Sequence, residues 1–177
     1  MLNITLKKFL TIPLLILGFT TIYGFDIGKP VESLDKISYI HFVSDNLASA
    51  GMLELDDYQF IKEYGFKHVI NLIPGVQLAE KRHVQSLGLS YEQIAVDWGT
   101  PTLEDFQTFV SLMKSYADDK VFVRCQMNWR ASTFVYLYRV TQLGMSKEAA
   151  KKDLEAVWTP EEQWQTFVET TLAHYSK

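Results

Sequence analysis

The chain has one cysteine, Cys125, and its neighbours in sequence could make it a nucleophile that acts on an anion. It follows the apolar run 121–123, and Arg130 lies five residues farther on, where a predicted helix begins. Backbone N–H groups at a helix N-terminus attract an oxyanion, and the same positive end favours the thiolate form of a cysteine. An arginine guanidinium can hold two oxygens of that anion. The pattern predicts a thiolate beside an anion-binding loop, and the alternative is an inert core cysteine.

The residues around this loop are the predicted contacts for the substrate. Asn128 tolerates the left-handed backbone conformation that would let the loop N–H groups converge. Trp129 is expected either to line the mouth of the pocket or to pack beneath the loop. The full set of predicted substrate-binding residues is Trp98, Arg124, Gln126, Met127, Asn128, Trp129 and Ser132.

A carboxyl group on a mobile loop can supply a proton to a departing oxygen, and Asp97 is a candidate for such a group. It begins the loop 97–101, in which Trp98 and Gly99 suit a segment that closes over a site. Its alternative role is that of a turn aspartate that accepts hydrogen bonds from nearby N–H groups. Asp105 is the second candidate acid, although its place near a predicted helix start also suits helix capping. The sequence leaves the choice between the two open.

Strands and helices alternate along the chain, which would bring these loops to one edge of a sheet. Hydrophobic patterning predicts strands at 37–43, 68–72, 89–96 and 121–123, with the segment 44–51 as a loop. Helical spacing predicts helices at 55–64, 76–87 and 102–117, and further helices form a C-terminal extension. This order is typical of an α/β fold with a mainly parallel sheet of four or five strands flanked by helices. In such sheets ligands bind beyond the carboxyl ends of the strands, where Cys125 is expected to lie.

The buried core is expected to come from the apolar positions of these elements. Its predicted members are Val69, Ile70, Leu72, Ile94, Val96, Phe106, Val110, Val121, Phe122, Val123, Leu137 and Val140.

The first 24 residues resemble a secretory signal, because Lys7 and Lys8 precede the short apolar run 9–19. Pro13 and the length of this run argue against a membrane-spanning helix, which needs about 20 apolar residues. We expect residues 1–24 to be removed by cleavage after Gly24. The alternative is that they are retained as an anchor, because Ile22 is not the small residue expected at the third position before the cut. Residues 25–36 then form a lead-in, and 37–177 form one domain that is periplasmic or secreted.

Charge and histidine spacing narrow the possible partners. The 17 basic and 21 acidic residues give a net charge of −4, which does not favour binding of nucleic acid. The four histidines show no ligand spacing such as H-x-x-x-H, so the sequence predicts neither a metal nor another cofactor. The expected partner is a small phosphorylated or otherwise anionic ligand, without a membrane partner once the signal is cleaved. The oligomeric state is left open.

Four stretches, 46–51, 65–72, 96–106 and 125–130, carry a resemblance to a known family. They are similar to the cysteine-dependent tyrosine and dual-specificity phosphatases, in particular to their small bacterial branch, whose domain also occurs fused to beta-lactamase-like hydrolases. The resemblance covers about residues 37–145. It implies a phosphatase-like fold in which Cys125 forms a phosphocysteine intermediate, Arg130 binds the phosphoryl oxygens and Asp97 is the general acid.

The loop also departs from the phosphatase pattern. Four residues rather than five separate Cys125 from Arg130, and Asn128 or Trp129 stands where a glycine is usual. Four-residue spacing is also similar to that of rhodanese-type sulfurtransferases. Three functions therefore stay open: an exported phosphatase, a non-catalytic phospholigand-binding module and a sulfurtransferase.

Two further departures flank the loop. Arg124 stands where a histidine usually precedes the cysteine, and it is expected to be either a positive neighbour of the thiolate or an ordinary surface arginine. Ala131 separates Arg130 from Ser132, whose hydroxyl could assist departure of the thiolate or cap the following helix.

Overall fold

The computed structural model describes residue 37 and residues 39–176, so the expected signal segment 1–24 and lead-in 25–36 lie outside the described residues. Five short strands form one sheet: β1 (His41–Ser44), β2 (Leu47–Ala50), β3 (His68–Asn71), β4 (Ser90–Gln93) and β5 (Val121–Arg124). Their order across the sheet is β1-β2-β5-β3-β4. Strand β1 is antiparallel to β2, and all other neighbours are parallel. The predicted α/β fold with a mainly parallel sheet is confirmed.

Helices cover both faces of this sheet. They are α1 (Asp57–Glu63), α2 (Leu78–Ser86), α3 (Leu103–Ser115), α4 (Trp129–Thr141), α5 (Lys147–Glu155) and α6 (Glu162–Tyr175). Buried residues of α1 and α2 pack on one face, while those of α3 to α6 pack on the other. The last two helices form the expected C-terminal extension. No helix in the described part of the chain is long and apolar enough to cross a membrane.

The predicted loop at 44–51 is wrong, because this segment contains the inner strand β2. Its sequence, Leu-Ala-Ser-Ala, has no β-branched residue and no alternation of apolar and polar side chains, so the usual strand signals are missing. All four residues are buried, as expected for a strand between two others with helices on both faces. The pairing Leu47–Val121 to Ala50–Arg124 sets the ends of β2 and β5 side by side.

The predicted core is confirmed at eleven of its twelve positions, which are buried. Val140 is partly buried and packs against the same core. Alternate residues of β5 contribute to opposite faces, with Val121 and Val123 in one cluster and Phe122 in the other. The strand that leads to Cys125 is therefore held from both sides, which fixes the start of the loop that follows.

Candidate active site

The loop that carries Cys125 connects the end of β5 to the start of α4. The Cys125 N–H donates to the Ala50 carbonyl at 3.1 Å, and the Met52 N–H donates to the Gln126 carbonyl at 2.9 Å. An isolated bridge between Gly51 and Met127 adds to these contacts. The end of β2 thus anchors the first half of the loop. The strand that was predicted as a loop therefore helps to position the candidate nucleophile.

Asn128 turns the loop into the helix. It has a φ of 64°, in the predicted left-handed region, and it precedes the first residue of α4. Its side chain is buried and donates from Nδ2 to the Tyr39 carbonyl at 2.7 Å. It makes no capping hydrogen bond to the helix, so the first-turn N–H groups are left without a side-chain partner.

Five backbone N–H groups in the loop and the first turn of α4 have no hydrogen-bond acceptor among the described residues. These are the N–H groups of residues 126, 127, 129, 130 and 131. Strand β5 ends at Arg124, so no neighbouring strand in the described part of the chain accepts hydrogen bonds from these N–H groups. Unpaired N–H groups at a tight loop followed by a helix N-terminus form an anion-binding arrangement.

Cys125 and Arg130 line one cavity of about 170 Å³, which we call the thiol cavity. Both side chains are nearly buried, at 1% and 7% exposure. Arg130 donates from Nη1 to the Val96 carbonyl at 3.0 Å, while its buried Nε has no partner among the described residues. A buried N–H without an acceptor is costly, and an anion in the cavity would satisfy it.

The thiol cavity includes six of the ten predicted site residues: Trp98, Cys125, Gln126, Met127, Trp129 and Arg130. The buried side chain of Asn128 does not line the cavity and bonds to the Tyr39 carbonyl instead. Asp97, Arg124 and Ser132 lie elsewhere, each for a separate reason.

Asp97 is exposed and is engaged in a turn outside the cavity. Its Oδ1 accepts from the N–H groups of Gly99 and Thr100, both at 2.9 Å, and from the Thr100 hydroxyl at 3.0 Å. The Thr100 hydroxyl first of all, and then these N–H groups, hold the pKa of Asp97 below its usual range, and the Arg130 guanidinium adds to the lowering. The structure therefore shows the turn role, and proton donation by Asp97 stays a prediction that requires this turn to rearrange.

Asp105 caps helix α3. Its Oδ2 accepts from the Thr102 N–H and hydroxyl, while the Thr102 hydroxyl accepts from the Asp105 N–H at 3.1 Å. This reciprocal capping box fixes the start of α3 and occupies the carboxylate that was the second candidate acid.

Arg124 lies on the opposite face of the sheet from Cys125, which corrects both expectations for it. It is only 4% exposed, so it is not a surface arginine, and its guanidinium forms an ion pair with Glu80 of α2. Arg124 is the last residue of β5, and successive side chains along a strand point to opposite faces of the sheet. The side chains of Arg124 and Cys125 therefore point to opposite faces. The one link of Arg124 to the loop is a long contact from Nη1 to the Cys125 carbonyl, at 3.4 Å.

The Glu80 carboxylate is the centre of a buried polar cluster on the face of the sheet opposite Cys125. It accepts hydrogen bonds from Tyr58, Tyr91 and Asn71 in addition to the pair with Arg124. Burial raises the pKa of Tyr91 to about 12 and raises that of Tyr58 even more, so both hydroxyls stay protonated donors. No sequence signal marked Glu80, which looked like one charge on an amphipathic helix.

Ser132 is also placed away from the thiol. Its hydroxyl donates to the Trp129 carbonyl at 3.2 Å, within the first turn of α4. It faces a separate crevice with His41, Arg139 and Asp153. The reason is again geometric, because the two residues after Arg130 have rotated around the helix away from the loop.

All four tryptophans of the chain meet beside the thiol cavity. The Trp98 ring lies 5.6, 5.8 and 5.2 Å from the ring centres of Trp129, Trp158 and Trp164. The buried Trp164 donates from Nε1 to the Trp98 carbonyl at 3.0 Å, so α6 holds the loop that follows β4. No local sequence pattern marks Trp158 and Trp164 as neighbours of the cavity, because they lie far from Cys125 in sequence.

The described part of the chain contains no group of three or more His, Cys, Asp or Glu side chains that could hold a metal ion. The histidine His68 is bound to Ser90 and Asp119 instead.

No protein-family model matches the chain, and no curated protein is significantly similar to it. The structure is similar to a DUF442 protein from Shewanella putrefaciens CN-32, described as a candidate phosphatase, with a TM-score of 0.73 and 28% identity. That match covers 82% of this chain and 99% of the other.

More distant structures share the fold. The core catalytic domain of the PP-IP phosphatase SIW14 from S. cerevisiae, in complex with citrate, has a TM-score of 0.63 and 14% identity, covering 75% of this chain and 86% of the other. A C132S form of TpbA from P. aeruginosa, in complex with pTyr, has a TM-score of 0.64 and 11% identity, covering 84% and 95%. The order of its elements and these similarities show that the chain has the fold of the cysteine-dependent protein tyrosine phosphatase-like proteins.

Proposed function

We propose that this protein hydrolyses phosphomonoesters through a phosphocysteine intermediate. The observation that carries the proposal is the thiol cavity, where the Cys125 side chain, the unpartnered Nε of Arg130 and unclaimed loop N–H groups come together. A phosphoryl group has three oxygens that need donors, and the loop and guanidinium supply them without a competing acceptor.

The proposed reaction has two displacements at phosphorus. The Cys125 thiolate forms the S–P bond while the P–O bond to the leaving group breaks, and the departing oxygen takes a proton. Water then attacks phosphorus and gives a proton back to the group that protonated the leaving oxygen, the S–P bond breaks, and inorganic phosphate leaves as the thiolate is restored. Arg130 and the loop N–H groups stabilise the charge on the equatorial oxygens in both steps.

Asp97 is the proposed proton donor, with a geometric condition. Its carboxylate is held ionised by the turn with Gly99 and Thr100, so the turn must open before Asp97 can carry a proton to the leaving group. The pKa of a good acid lies near the working pH, whereas that of Asp97 is lowered here. Protonation by Asp97 is therefore expected to matter for alkyl esters, and less for esters whose leaving group is stable as an anion.

The similar proteins support a small anionic substrate. One of them is described as a candidate phosphatase, and two others were obtained with pTyr and with citrate bound. The thiol cavity of about 170 Å³ can hold a phosphoryl group but not a large ligand, so the rest of a substrate has to lie outside it.

Export is part of the proposal. It is supported by Lys7, Lys8 and the apolar run that follows them. Fractionation of cells that produce the full chain, with N-terminal sequencing of the product, tests it. A periplasmic or secreted product that starts near residue 25 is expected, and a cytosolic product that starts at Met1 contradicts export.

One set of assays tests the enzymatic part. The domain is incubated with p-nitrophenyl phosphate and, separately, with thiosulfate plus cyanide, alongside Cys125→Ser. Phosphatase activity that the serine variant lacks is the expected result. Thiocyanate production would instead favour sulfur transfer, which the four-residue loop spacing suggests, and phosphate binding without turnover would favour a binding module.

A further inference from the structure

A second cavity, of about 360 Å³, adjoins the thiol cavity, and we call it the tryptophan cavity. The two adjoin because Trp98 and Trp129 line both. Trp129 and Trp158 stack with an angle of 9° between their rings, and Trp98 is inclined to both by about 45°. These three indoles form an aromatic corner that opens beside the site of the thiol.

The rest of the tryptophan cavity is acidic. Glu161 and Glu162 line it together with Thr159 and Gln163, and no lysine or arginine does. Both glutamates are exposed, and neither forms an ion pair with another residue of the described part of the chain. Glu161 precedes α6 without making a side-chain capping bond. Two unpaired carboxylates repel an anion and attract a cation.

The two cavities therefore have opposite electrostatic character. In the thiol cavity, the Arg130 Nε is more than nine-tenths buried and has no acceptor, which calls for an anion. In the tryptophan cavity, indole faces and carboxylates are the groups that recognise a quaternary or primary ammonium. A ligand that fits both carries a phosphoryl group at one end and a positive charge at the other.

We propose that the substrate is a phosphomonoester of an ammonium alcohol, with its cation in the tryptophan cavity and its phosphoryl group in the thiol cavity. This rests on the proposed phosphatase function. A neutral aryl group could also stack on the indoles, but Glu161 and Glu162 would add nothing to its binding. A second phosphate or an acidic peptide would be repelled by the same carboxylates.

The test compares two esters that differ by one atom and one charge. Phosphocholine and 3,3-dimethylbutyl phosphate have the same shape, with nitrogen replaced by carbon in the second. The expected ratio of their kcat/KM values with the wild-type protein is about tenfold in favour of phosphocholine, a difference of the size that cation–π contacts give. The double variant Glu161→Gln/Glu162→Gln lowers this ratio. Glu169→Gln, on the same helix but outside the cavity, keeps the wild-type ratio.

The outcomes separate the two proposals. Equal kcat/KM values for the two esters overturn the inference and leave the phosphatase function standing.

If neither ester nor p-nitrophenyl phosphate is hydrolysed, the phosphatase function fails. Cation binding is then measured by titrating the tryptophan fluorescence with tetramethylammonium and, as the neutral control, with tert-butanol. Saturable quenching by tetramethylammonium alone, weakened in the double variant, supports the cation site, and its absence overturns it. If the glutamates only stabilise the start of α6, the double variant melts at a lower temperature with an unchanged ester ratio, which also overturns the inference.

Discussion

Arg124 and Arg130 are both nearly buried and lie six residues apart, yet their guanidinium groups have opposite surroundings. Arg124 faces one side of the sheet and is held by the Glu80 carboxylate within a closed set of hydrogen bonds. Arg130 is on the other side, with one bond to a carbonyl and its Nε unsatisfied.

The difference shows which buried charge belongs to the structure and which to a ligand. A buried charge with a full set of partners contributes to the fold, and removing one partner leaves the other uncompensated. A buried charge without partners in the protein alone is tolerated because something else supplies them. We therefore expect substitution of Arg124 to lower the stability of the protein and substitution of Arg130 to lower its activity.

The largest effect is expected from Arg130→Lys. Lysine keeps the charge but loses the planar fork, so it cannot hold two phosphoryl oxygens as the guanidinium does. We expect kcat/KM for p-nitrophenyl phosphate to fall by about a thousandfold, as for loss of a main transition-state donor, with a nearly unchanged melting temperature. The matched control is Arg124→Lys, which should lose stability and retain most of its activity. Similar activity losses in both variants would remove the distinction between the two arginines.

Arg124→Met tests the structural side of the comparison. It leaves the Glu80 carboxylate buried without its cation, which costs about 3–5 kcal/mol in the free energy of unfolding when a buried pair is broken. Urea denaturation measures this loss. Replacing both partners, as in Arg124→Met/Glu80→Leu, should restore part of it. A loss below about 1 kcal/mol, within the range of exposed pairs, would mean that the Arg124–Glu80 pair contributes little to the stability of the fold.

The predicted acid is tested by Asp97→Asn. We expect a fall of about a hundredfold in kcat for an alkyl phosphate and little change for p-nitrophenyl phosphate, whose leaving group is stable as an anion. Because the pKa of Asp97 is held below the ordinary value of an aspartate, its acid form is a small minority near neutral pH and becomes more populated as pH falls. Turnover of the alkyl ester should therefore increase as pH falls from 7 towards 5 in the wild type and not in the variant. An unchanged kcat for the alkyl phosphate in Asp97→Asn would leave Asp97 with its turn role alone.

The smallest effect is expected from Asp105→Ala, which removes the capping box of α3. The loss of such a cap costs about 1 kcal/mol in the free energy of unfolding, measured by urea denaturation. The kcat for the alkyl phosphate, the ester whose leaving group needs the acid, should stay at the wild-type level. A large loss of activity with intact stability would make Asp105 rather than Asp97 the acid.

Much of the fold could be predicted because its signals are local. Val69 and Val121 belong to short apolar runs, and Thr102 and Asp105 form the cap at the start of a helix. Each of these signals lies within its own element, so the element can be recognised without the rest of the chain. Strand β2 could not, because its short, small residues form a strand only when β1 and β5 lie on either side.

The candidate site was predictable only in part for a similar reason. The cavity formed by Cys125, Arg130 and the loop depends on one strand, one loop and one helix that follow each other directly. The position of Arg124 was predicted wrongly because the face to which it points depends on whether β5 ends before or after this residue. Glu80, Trp158 and Trp164 reach their positions through packing between elements far apart in sequence, which no local pattern records.

The central claim is that the loop after β5 and the Arg130 guanidinium hold an oxyanion against Cys125. A crystal structure of the protein soaked with tungstate tests it most directly. The account predicts the oxyanion in the thiol cavity, with the Arg130 Nε and the N–H groups of residues 126–131 within hydrogen-bonding distance of its oxygens. Tungstate bound elsewhere, with the cavity closed over the Cys125 sulfur and Arg130 still unpartnered, would contradict it.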